Sequence, residues 1–244
     1  MKEFRDLMHH KIESEMDSGD VKSSKYLFMV RHGLRADHVE HCEGDFNKLD
    51  VPMTDEGFTQ AQKTAIWIKE EICKLGVKKV KIICSPMIRA VQTAAIVAHE
   101  LEVDQFDINN GYVEHLDPGC AKMHELEIRQ NSEEELKSKF FKDITFVPFN
   151  DLNNDVEDIE SRIPEDHPRA VKRIKEYLSK FIPEGDIEMT IIVTHAYAHD
   201  AFIELYGGER ILTYECAVSA VEFNACANDS QNAKIIHNRH IVWS

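Results

Sequence analysis

Short apolar runs alternate with longer amphipathic segments along most of this chain. Runs of about five apolar residues predict strands buried on both faces of a parallel sheet, and apolar residues spaced three and four apart predict covering helices. The predicted strands are residues 26–30, 80–84, 106–108, 190–194, 217–223 and 234–242. We expect the last two to pair antiparallel at a sheet edge. The whole pattern predicts an α/β fold, a three-layer α/β/α sandwich with a mostly parallel central sheet.

Residues that favour helix ends mark the predicted helices. Thr54 and Gly57 open an amphipathic helix, and Gly76 ends it because glycine readily adopts the left-handed conformation at a helix C-terminus. Pro86 lies near the first turn of the next helix, which runs to about residue 101. Two further helices are predicted at residues 168–181 and 198–206.

Charge and cysteine content narrow the class of protein. The formal net charge of −15 over 244 residues argues against nucleic acid or an anionic membrane as the main partner, because both attract basic surfaces. The six cysteines have irregular spacing and show no disulfide framework, which favours a reducing compartment. Residues 1–24 lack the continuous apolar region of a signal peptide. We therefore expect a cytosolic location, and the oligomeric state stays open.

Candidate chemistry is concentrated where three predicted strands end. Arg31 and His32 follow the first strand, Arg89 comes shortly after the second, and His195 follows the strand at residues 190–194. Ligands of open α/β sheets collect at the carboxyl edge of the strands. We therefore expect these four side chains to share one rim.

The motifs around these residues resemble those of the histidine phosphatase superfamily, which has the phosphoglycerate-mutase-like fold. The resemblance rests on five segments in the family order, namely Arg31-His32-Gly33, residues 53–61, residues 85–94, Val113-Glu114 and Val193-Thr194-His195. The run from Arg31 to Asp37 reads Arg-His-Gly-x-Arg-x-Asp, which is similar to the motif of the Sts-type phosphatase branch. Ala196 departs from the glycine that usually follows the second histidine of the family.

The resemblance implies a phosphatase that acts through a phosphohistidine and needs no metal or other cofactor. His32 is the implied nucleophile, because a neutral imidazole has a free nitrogen at neutral pH. Phosphate would be bound by the arginines and the second histidine, which are Arg31, Arg35, Arg89 and His195. Glu114 is the implied acid for the leaving oxygen, with His115 and Asp117 as nearby rivals.

We assign residues 25–244 to one catalytic domain and residues 1–24 to an amino-terminal extension. Residues 117–167 are predicted to form an insertion that covers the active site and sets specificity, because residues 133–162 break the strand–helix rhythm. Four phenylalanines of the insertion either face an aromatic substrate group or form a small core: Phe140, Phe141, Phe146 and Phe149.

The predicted function is a phosphomonoesterase for a phosphorylated small molecule or a phosphoprotein, with aryl and phosphotyrosine esters as candidates. Three alternatives stay open. Ala196 motivates a catalytically weak scaffold that binds phosphorylated partners, and a phosphoglycerate-mutase-like phosphotransferase is disfavoured by Arg35 and His38. Metal binding is the third alternative, through either of two groups of side chains, neither of which completes a known metal-binding signature. These groups are His195/His199/Asp200 and His38/His41/Cys42.

Overall fold

The computed structural model describes residues 24–39, 47–115, 126–152, 164–179, 183, 185–209, 212–223 and 233–242. In this part of the chain a seven-stranded sheet has the order β4-β3-β2-β5-β1-β6-β7. The strands are β1 (Lys25–Arg31), β2 (Val80–Cys84), β3 (Phe106–Ile108), β4 (Phe149–Asp151), β5 (Met189–Thr194), β6 (Val218–Phe223) and β7 (Ala233–His240). The five from β4 to β1 pair in parallel, and β6 and β7 pair antiparallel at one edge. The predicted fold and the antiparallel pairing of the last two strands are confirmed.

Helices cover both faces of the sheet. They are α1 (Asp55–Leu75), α2 (Ile88–Glu100), α3 (Glu127–Gln130), α4 (Glu133–Phe140), α5 (His167–Ser179) and α6 (Ala196–Leu205). Alternation along β1 shows the division, because Phe28 and Val30 pack on the side of α1 and α2, whereas Leu27 and Met29 pack on the side of α5 and α6. The result is the three-layer sandwich that the sequence predicts.

The caps of α1 explain why this helix begins and ends where it does. The Thr54 side chain accepts a hydrogen bond from the Gly57 N–H at the N-terminus, and Gly76 has φ of 68° at the C-terminus. Pro86 lies near the first turn of the second helix, as predicted, directly before the N-cap residue Met87.

The described part of the predicted insertion packs onto the main body. Residues 126–152 contain α3, α4 and β4, and β4 extends the sheet by pairing with β3. Phe140 and Phe141 are buried in the main hydrophobic core, with Phe146 and Phe149 packed against it. Of the two interpretations of these phenylalanines, a core role is therefore the correct one, but the core belongs to the whole domain. Residues 116–125 and 153–163 lie outside the described ranges, so the extent of the insertion stays a prediction.

Strand register brings the three strand ends together. Arg31 is opposite Thr194 in the β1–β5 pair, and Cys84 is opposite Val193 in the β2–β5 pair. The residues that follow these strands therefore lie side by side at one carboxyl edge. They are His32 after β1, Ser85 after β2 and His195 after β5.

Candidate active site

His32 sits on a tightly packed turn between β1 and α1. A Cβ atom on Gly33 would lie 2.5 Å from the Gly57 carbonyl oxygen, and a Cβ on Gly57 would lie 2.5 Å from the Leu34 carbonyl oxygen. Any side chain at either position would therefore collide with backbone. The Gln60 amide oxygen accepts from the Leu34 N–H at 3.0 Å and fixes the turn further. These contacts explain why the two motifs that carry Gly33, Gly57 and Gln60 occur together.

The His32 ring has a defined tautomer. Its Nδ1 lies 2.8 Å from the Gly33 carbonyl oxygen, which can only accept, so Nδ1 carries the proton. The lone pair of a neutral ring is then on Nε2. Burial lowers the pKa of His32 well below its ordinary value, and the positive charge of Arg89 adds to the effect. His32 is therefore neutral at neutral pH, with Nε2 as its potential nucleophile.

Arg89 lies between the two histidines and Glu114. Its side chain is 1% exposed, and its Nε donates to His32 Nε2 at 3.2 Å. Its Nη2 lies 3.4 Å from His195 Nδ1 and 3.5 Å from Glu114 Oε2. Its Nη1 is buried and has no hydrogen-bond partner among the described residues. A buried guanidinium with an unused donor is suited to an anion.

His195 is fully buried beside His32, with 5.2 Å between the ring centroids. Its Nε2 lies 2.8 Å from the Ser85 hydroxyl oxygen, and its Nδ1 lies 3.2 Å from Glu114 Oε2. Burial lowers the pKa of His195 to about 4, although the Glu114 carboxylate acts in the opposite direction. His195 is therefore also neutral at neutral pH. Ser85, which holds the ring, belongs to a motif but was not among the predicted site residues.

Glu114 is at the edge of this cluster, with 21% of its side chain exposed. Burial favours its protonated form, but His195, a hydrogen bond within the Glu114–His115 pair and the charge of Arg89 outweigh it. The pKa of Glu114 is consequently held well below its ordinary value. Glu114 is ionised in the free site at neutral pH. Of its predicted rivals, His115 is adjacent and 35% exposed, and Asp117 lies outside the described residues.

Arg31 and Arg35 already have acidic partners. Arg31 Nη2 lies 2.9 Å from Glu215 Oε1, and its Nη1 donates to the Thr213 carbonyl oxygen at 2.6 Å. Arg35 binds Asp37 through Nε and Nη2 at 2.6 and 2.7 Å. Arg35 nevertheless lines the pocket above Arg89, whereas Arg31 is absent from the residues found to line it. Arg89 and Arg35 therefore line the pocket, whereas the Arg31 guanidinium is turned toward Glu215 and Thr213 and, like the rings of His32 and His195, does not line it.

A pocket of about 580 Å³ opens above Arg89 and Glu114. Its lining residues are Arg35, Lys48, Leu49, Met87, Arg89, Glu114, His115, His167, Ala196, Tyr197 and Asp200. His32 and His195 are buried and do not line the pocket, but both contact Arg89, which does. Three of the lining rings, His115, His167 and Tyr197, have centroids 6.1 to 6.4 Å apart in edge-to-face arrangements. Lys48, His167 and Tyr197 were not predicted, because a loop and the N-termini of two helices, α5 and α6, bring them to the pocket.

The metal alternatives gain little from this geometry. In the part of the chain described, His32, Glu114 and His195 offer ligand atoms within 4.8 Å of one another. The Arg89 guanidinium contacts all three of these residues, so its positive charge already occupies the position between their lone pairs where a metal ion would bind. His199 is buried and bonded through Nδ1 to the Ser219 hydroxyl, and no three-ligand group forms around it among the described residues. His41 and Cys42 lie outside the described ranges.

Comparison with known proteins relates this site to a family. Residues 27–232 match the model of the histidine phosphatase superfamily (branch 1). The serine/threonine-protein phosphatase Pgam5, mitochondrial, of Drosophila pseudoobscura pseudoobscura is 29% identical over 101 residues, which cover 41% of this chain and 32% of that protein. The chain thus spans about a third of the length of this relative.

Two solved structures show the same fold at low sequence identity. The ecdysone phosphate phosphatase of Bombix mori, in complex with tungstate, has a TM-score of 0.53 and 19% identity, with 87% of this chain and 92% of that chain covered. Mycobacterial hydrolase 1 has a TM-score of 0.54 and 14% identity, with 89% and 99% covered. Because the family model spans most of the chain, this protein belongs to the histidine phosphatase superfamily, branch 1.

Proposed function

We propose that the protein is a phosphomonoesterase that transfers the phosphoryl group of its substrate to His32 Nε2. The observation that carries this proposal is the hydrogen bond from His32 Nδ1 to the Gly33 carbonyl, because it leaves the Nε2 lone pair as the reactive atom. The lowered pKa of the buried ring keeps this lone pair free at neutral pH. Arg89 supplies positive charge next to it.

Substrate binding has to move Arg89 away from His32. In the free site its Nε–H occupies the Nε2 lone pair, so the histidine cannot attack a phosphorus atom. Phosphate oxygens are stronger acceptors than an imidazole nitrogen, and charge-assisted bonds to them favour rotation of the guanidinium onto the substrate. The unused Nη1 then gains a partner. Arg89 thus both protects His32 and binds phosphate.

The proposed reaction has two steps. In the first, an N–P bond forms at His32 Nε2, the ester P–O bond breaks, and Glu114 gives a proton to the leaving oxygen. In the second, Glu114 takes a proton from water, the water oxygen bonds to phosphorus, and the N–P bond breaks. Glu114 must be protonated when the ester binds, and the negative charge of a bound phosphate raises its pKa in the required direction.

The pocket favours a substrate with a ring next to the phosphate. His115, His167 and Tyr197 lie on the side of Glu114, where the leaving group would be. Aromatic rings prefer edge-to-face and offset contacts with one another. We therefore propose aryl phosphates, including phosphotyrosine in a protein, as the preferred class. The Drosophila relative bears the name of a serine/threonine-protein phosphatase, so phosphoserine peptides belong among the substrates to be tested.

A phosphate-binding scaffold is the second candidate. The contact of Arg89 with His32 favours it, because a site that does not release the nucleophile would bind phosphate without turnover.

The cellular location is not indicated by the site. No helix in the described part of the chain is long and apolar enough to cross a membrane, and a cytosolic location stays a prediction.

Turnover of a panel of phosphomonoesters tests the function. The panel contains p-nitrophenyl phosphate, phosphotyrosine and phosphoserine peptides, an alkyl phosphate, and 3-phosphoglycerate for mutase activity. We expect the wild type to hydrolyse the aryl esters, with EDTA leaving the rate unchanged. Binding of the esters without turnover would favour the scaffold, and loss of rate in EDTA with recovery on adding zinc would favour a metal enzyme.

His32→Ala should reduce turnover by at least about 10⁴-fold, because it removes the nitrogen that forms the covalent intermediate in the proposed mechanism. The matched control is His99→Ala, which changes an exposed histidine on α2. A quench without acid after mixing with labelled substrate should trap phosphate on wild-type protein but not on His32→Ala. Wild-type turnover by a folded His32→Ala protein would exclude the proposed mechanism.

A further inference from the structure

A buried ion pair lies behind the segment that carries Glu114. Arg173 on α5 and Glu165, two residues before this helix, have side chains 4% and 3% exposed. They form a two-point contact, with Arg173 Nε 2.9 Å from Glu165 Oε1 and Nη2 2.7 Å from Glu165 Oε2. Burying both charges is costly, and a buried pair of this kind is often no more stabilising than apolar residues of the same volume. Its contribution to overall stability is therefore a weak explanation for its presence.

The remaining donors of Arg173 bind the backbone directly before Glu114. Nη1 donates to the Gly111 carbonyl oxygen at 2.6 Å, and Nη2 donates to the Val113 carbonyl oxygen at 3.3 Å. Nη2 also lies 3.3 Å from the Tyr197 hydroxyl oxygen, and that hydroxyl donates to the same Val113 carbonyl. One guanidinium thus holds two carbonyls of the acid-bearing segment.

Other contacts complete the restraint on this segment. The Thr194 hydroxyl donates to the Tyr112 carbonyl oxygen at 2.8 Å, so the three consecutive carbonyls of residues 111–113 all have fixed donors. Gly111 packs so closely on the Tyr177 ring of α5 that a Cβ atom would collide with it. The end of β5 and the inner face of α5 therefore set the path of the chain up to Glu114.

We propose that Arg173, held by Glu165, is a positioning residue for the general acid Glu114. Arg173 is absent from the residues found to line the pocket, so it acts on the reaction through the 111–114 backbone and not through the substrate. The inference rests on the proposed function, in which Glu114 protonates the leaving oxygen. Displacement of a catalytic group by about 1 Å can cost roughly 10²-fold in rate, so a modest shift of this segment has a large effect.

Leaving-group dependence gives the test, because an acid matters most where the leaving oxygen is a strong base. We expect Arg173→Met to slow single-turnover hydrolysis of an alkyl phosphate by about 10²-fold and that of p-nitrophenyl phosphate by less than about fivefold. Arg169→Met is the matched control, because Arg169 is one turn earlier on α5, is exposed, and has local partners in the described part of the chain, Asp166 and the Pro164 carbonyl. It should leave both rates unchanged. Equal losses with both esters in Arg173→Met would reduce Arg173 to a structural role and overturn the inference.

Two further variants keep the test valid if Arg173→Met fails to fold. Glu165→Gln removes the charge of the partner while keeping its shape, and Tyr197→Phe removes one donor to Val113. We expect each to show the same leaving-group split at a smaller size, about threefold to tenfold for the alkyl ester. A split in neither variant would contradict the proposal.

Amide hydrogen exchange separates failure of this inference from failure of the proposed function. If the wild type hydrolyses no ester, the proposed function fails. The restraint on the backbone can still be measured without turnover. The peptide that contains residues 111–115 should exchange faster in Glu165→Gln than in wild type or Arg169→Met, while peptides from β1 and β5 should not change. Unchanged exchange in residues 111–115 would show that the ion pair does not hold this segment.

Discussion

The floor and the wall of the pocket are built in different ways. The floor comprises His32, Arg89 and His195, each no more than 1% exposed and each placed by a strand end or the first turn of a helix. The wall comprises Arg35, Lys48, His115 and His167, which come from loops and from the start of α5 and are partly or fully exposed. Strand register and close packing of the core hold the floor residues in position, whereas the wall depends on loops that tolerate changes in sequence and length.

This difference assigns separate tasks to the two regions. A floor whose backbone is fixed by the sheet and whose histidines are neutral suits phosphoryl transfer, which depends mainly on positioning and charge. A wall with rings and cations suits recognition of the rest of the substrate. Changes in the floor should therefore reduce kcat by orders of magnitude, and changes in the wall should mainly alter KM.

Glu114 lies between floor and wall, and its substitution should have a much larger effect than any change in the wall. Glu114→Gln keeps the size of the side chain but removes the transferable proton. We expect an alkyl phosphate to react about 10²- to 10⁴-fold more slowly and p-nitrophenyl phosphate to change far less, because nitrophenolate leaves without a proton. Single-turnover rates measure the first step for both esters. Equal losses would place Glu114 in a purely structural role and make His115 or Asp117 the next candidate acid.

The floor was largely predictable from sequence, and the reason is geometric. Apolar runs locate strands, and parallel strands bring their carboxyl ends to one edge, so the closeness of His32 and His195 follows from the order of elements. The direction of a long side chain does not follow. Arg31 is adjacent to His32 in sequence, yet its guanidinium turns to Glu215, a partner 184 residues away that no local pattern indicates.

The wall was much harder to predict. Lys48 reaches the pocket from a loop and His167 from the first residue of α5, and no hydrophobic period indicates either placement. For the phenylalanines of the predicted insertion, burial could be predicted from their apolar character. Their packing into the core of the whole domain could not. No sequence pattern indicates that Arg173 and Glu165 are buried and paired, because in the sequence they resemble the many charged residues of exposed helical faces.

The neutral histidines of the floor should make the fold sensitive to acid. Burial lowers the pKa of His32 and of His195, the latter to about 4, so unfolded chains bind protons near pH 6.5 that the folded protein does not. Stability then falls as pH decreases through this range. The buried carboxyl of Asp50 acts in the opposite direction, because burial raises its pKa to about 6 and the folded state binds its proton first. His199 adds to the loss, because burial also lowers its pKa well below its ordinary value. Three histidines outweigh one carboxyl, so the net effect is a loss of stability in acid.

Urea unfolding at pH 7.0 and pH 5.5 measures this balance. We expect the free energy of unfolding to be about 1 to 3 kcal/mol lower at pH 5.5. Asp50→Asn should steepen the loss, because it removes the group that gains stability in acid. The Asp50 carboxylate accepts hydrogen bonds from the backbone N–H groups of Ile88 and Glu127, and their weakening also makes Asp50→Asn less stable at pH 7.0. The comparison is therefore of how steeply the free energy of unfolding changes with pH in the two proteins. Equal stability of the wild type at both pH values would mean that the buried histidines His32, His195 and His199 bind protons in the folded protein as readily as in the unfolded chain.

The smallest expected effect belongs to the wall. Lys48 is exposed, lines the pocket and adds a positive charge in a chain whose formal net charge is −15. An exposed charge in water contributes at most about 1 kcal/mol, so Lys48→Met should raise KM for a dianionic phosphopeptide by about twofold to fivefold and leave kcat unchanged.

The salt dependence of KM distinguishes a charge effect from a change of pocket shape. The KM of the wild type should rise with ionic strength because screening weakens exposed charges, and Lys48→Met should show a smaller rise. Lys63→Met is the matched control, since Lys63 is exposed on α1 and absent from the pocket lining. A loss of kcat in Lys48→Met with KM unchanged would break the division between floor and wall, because an exposed wall residue would then act on the chemical step.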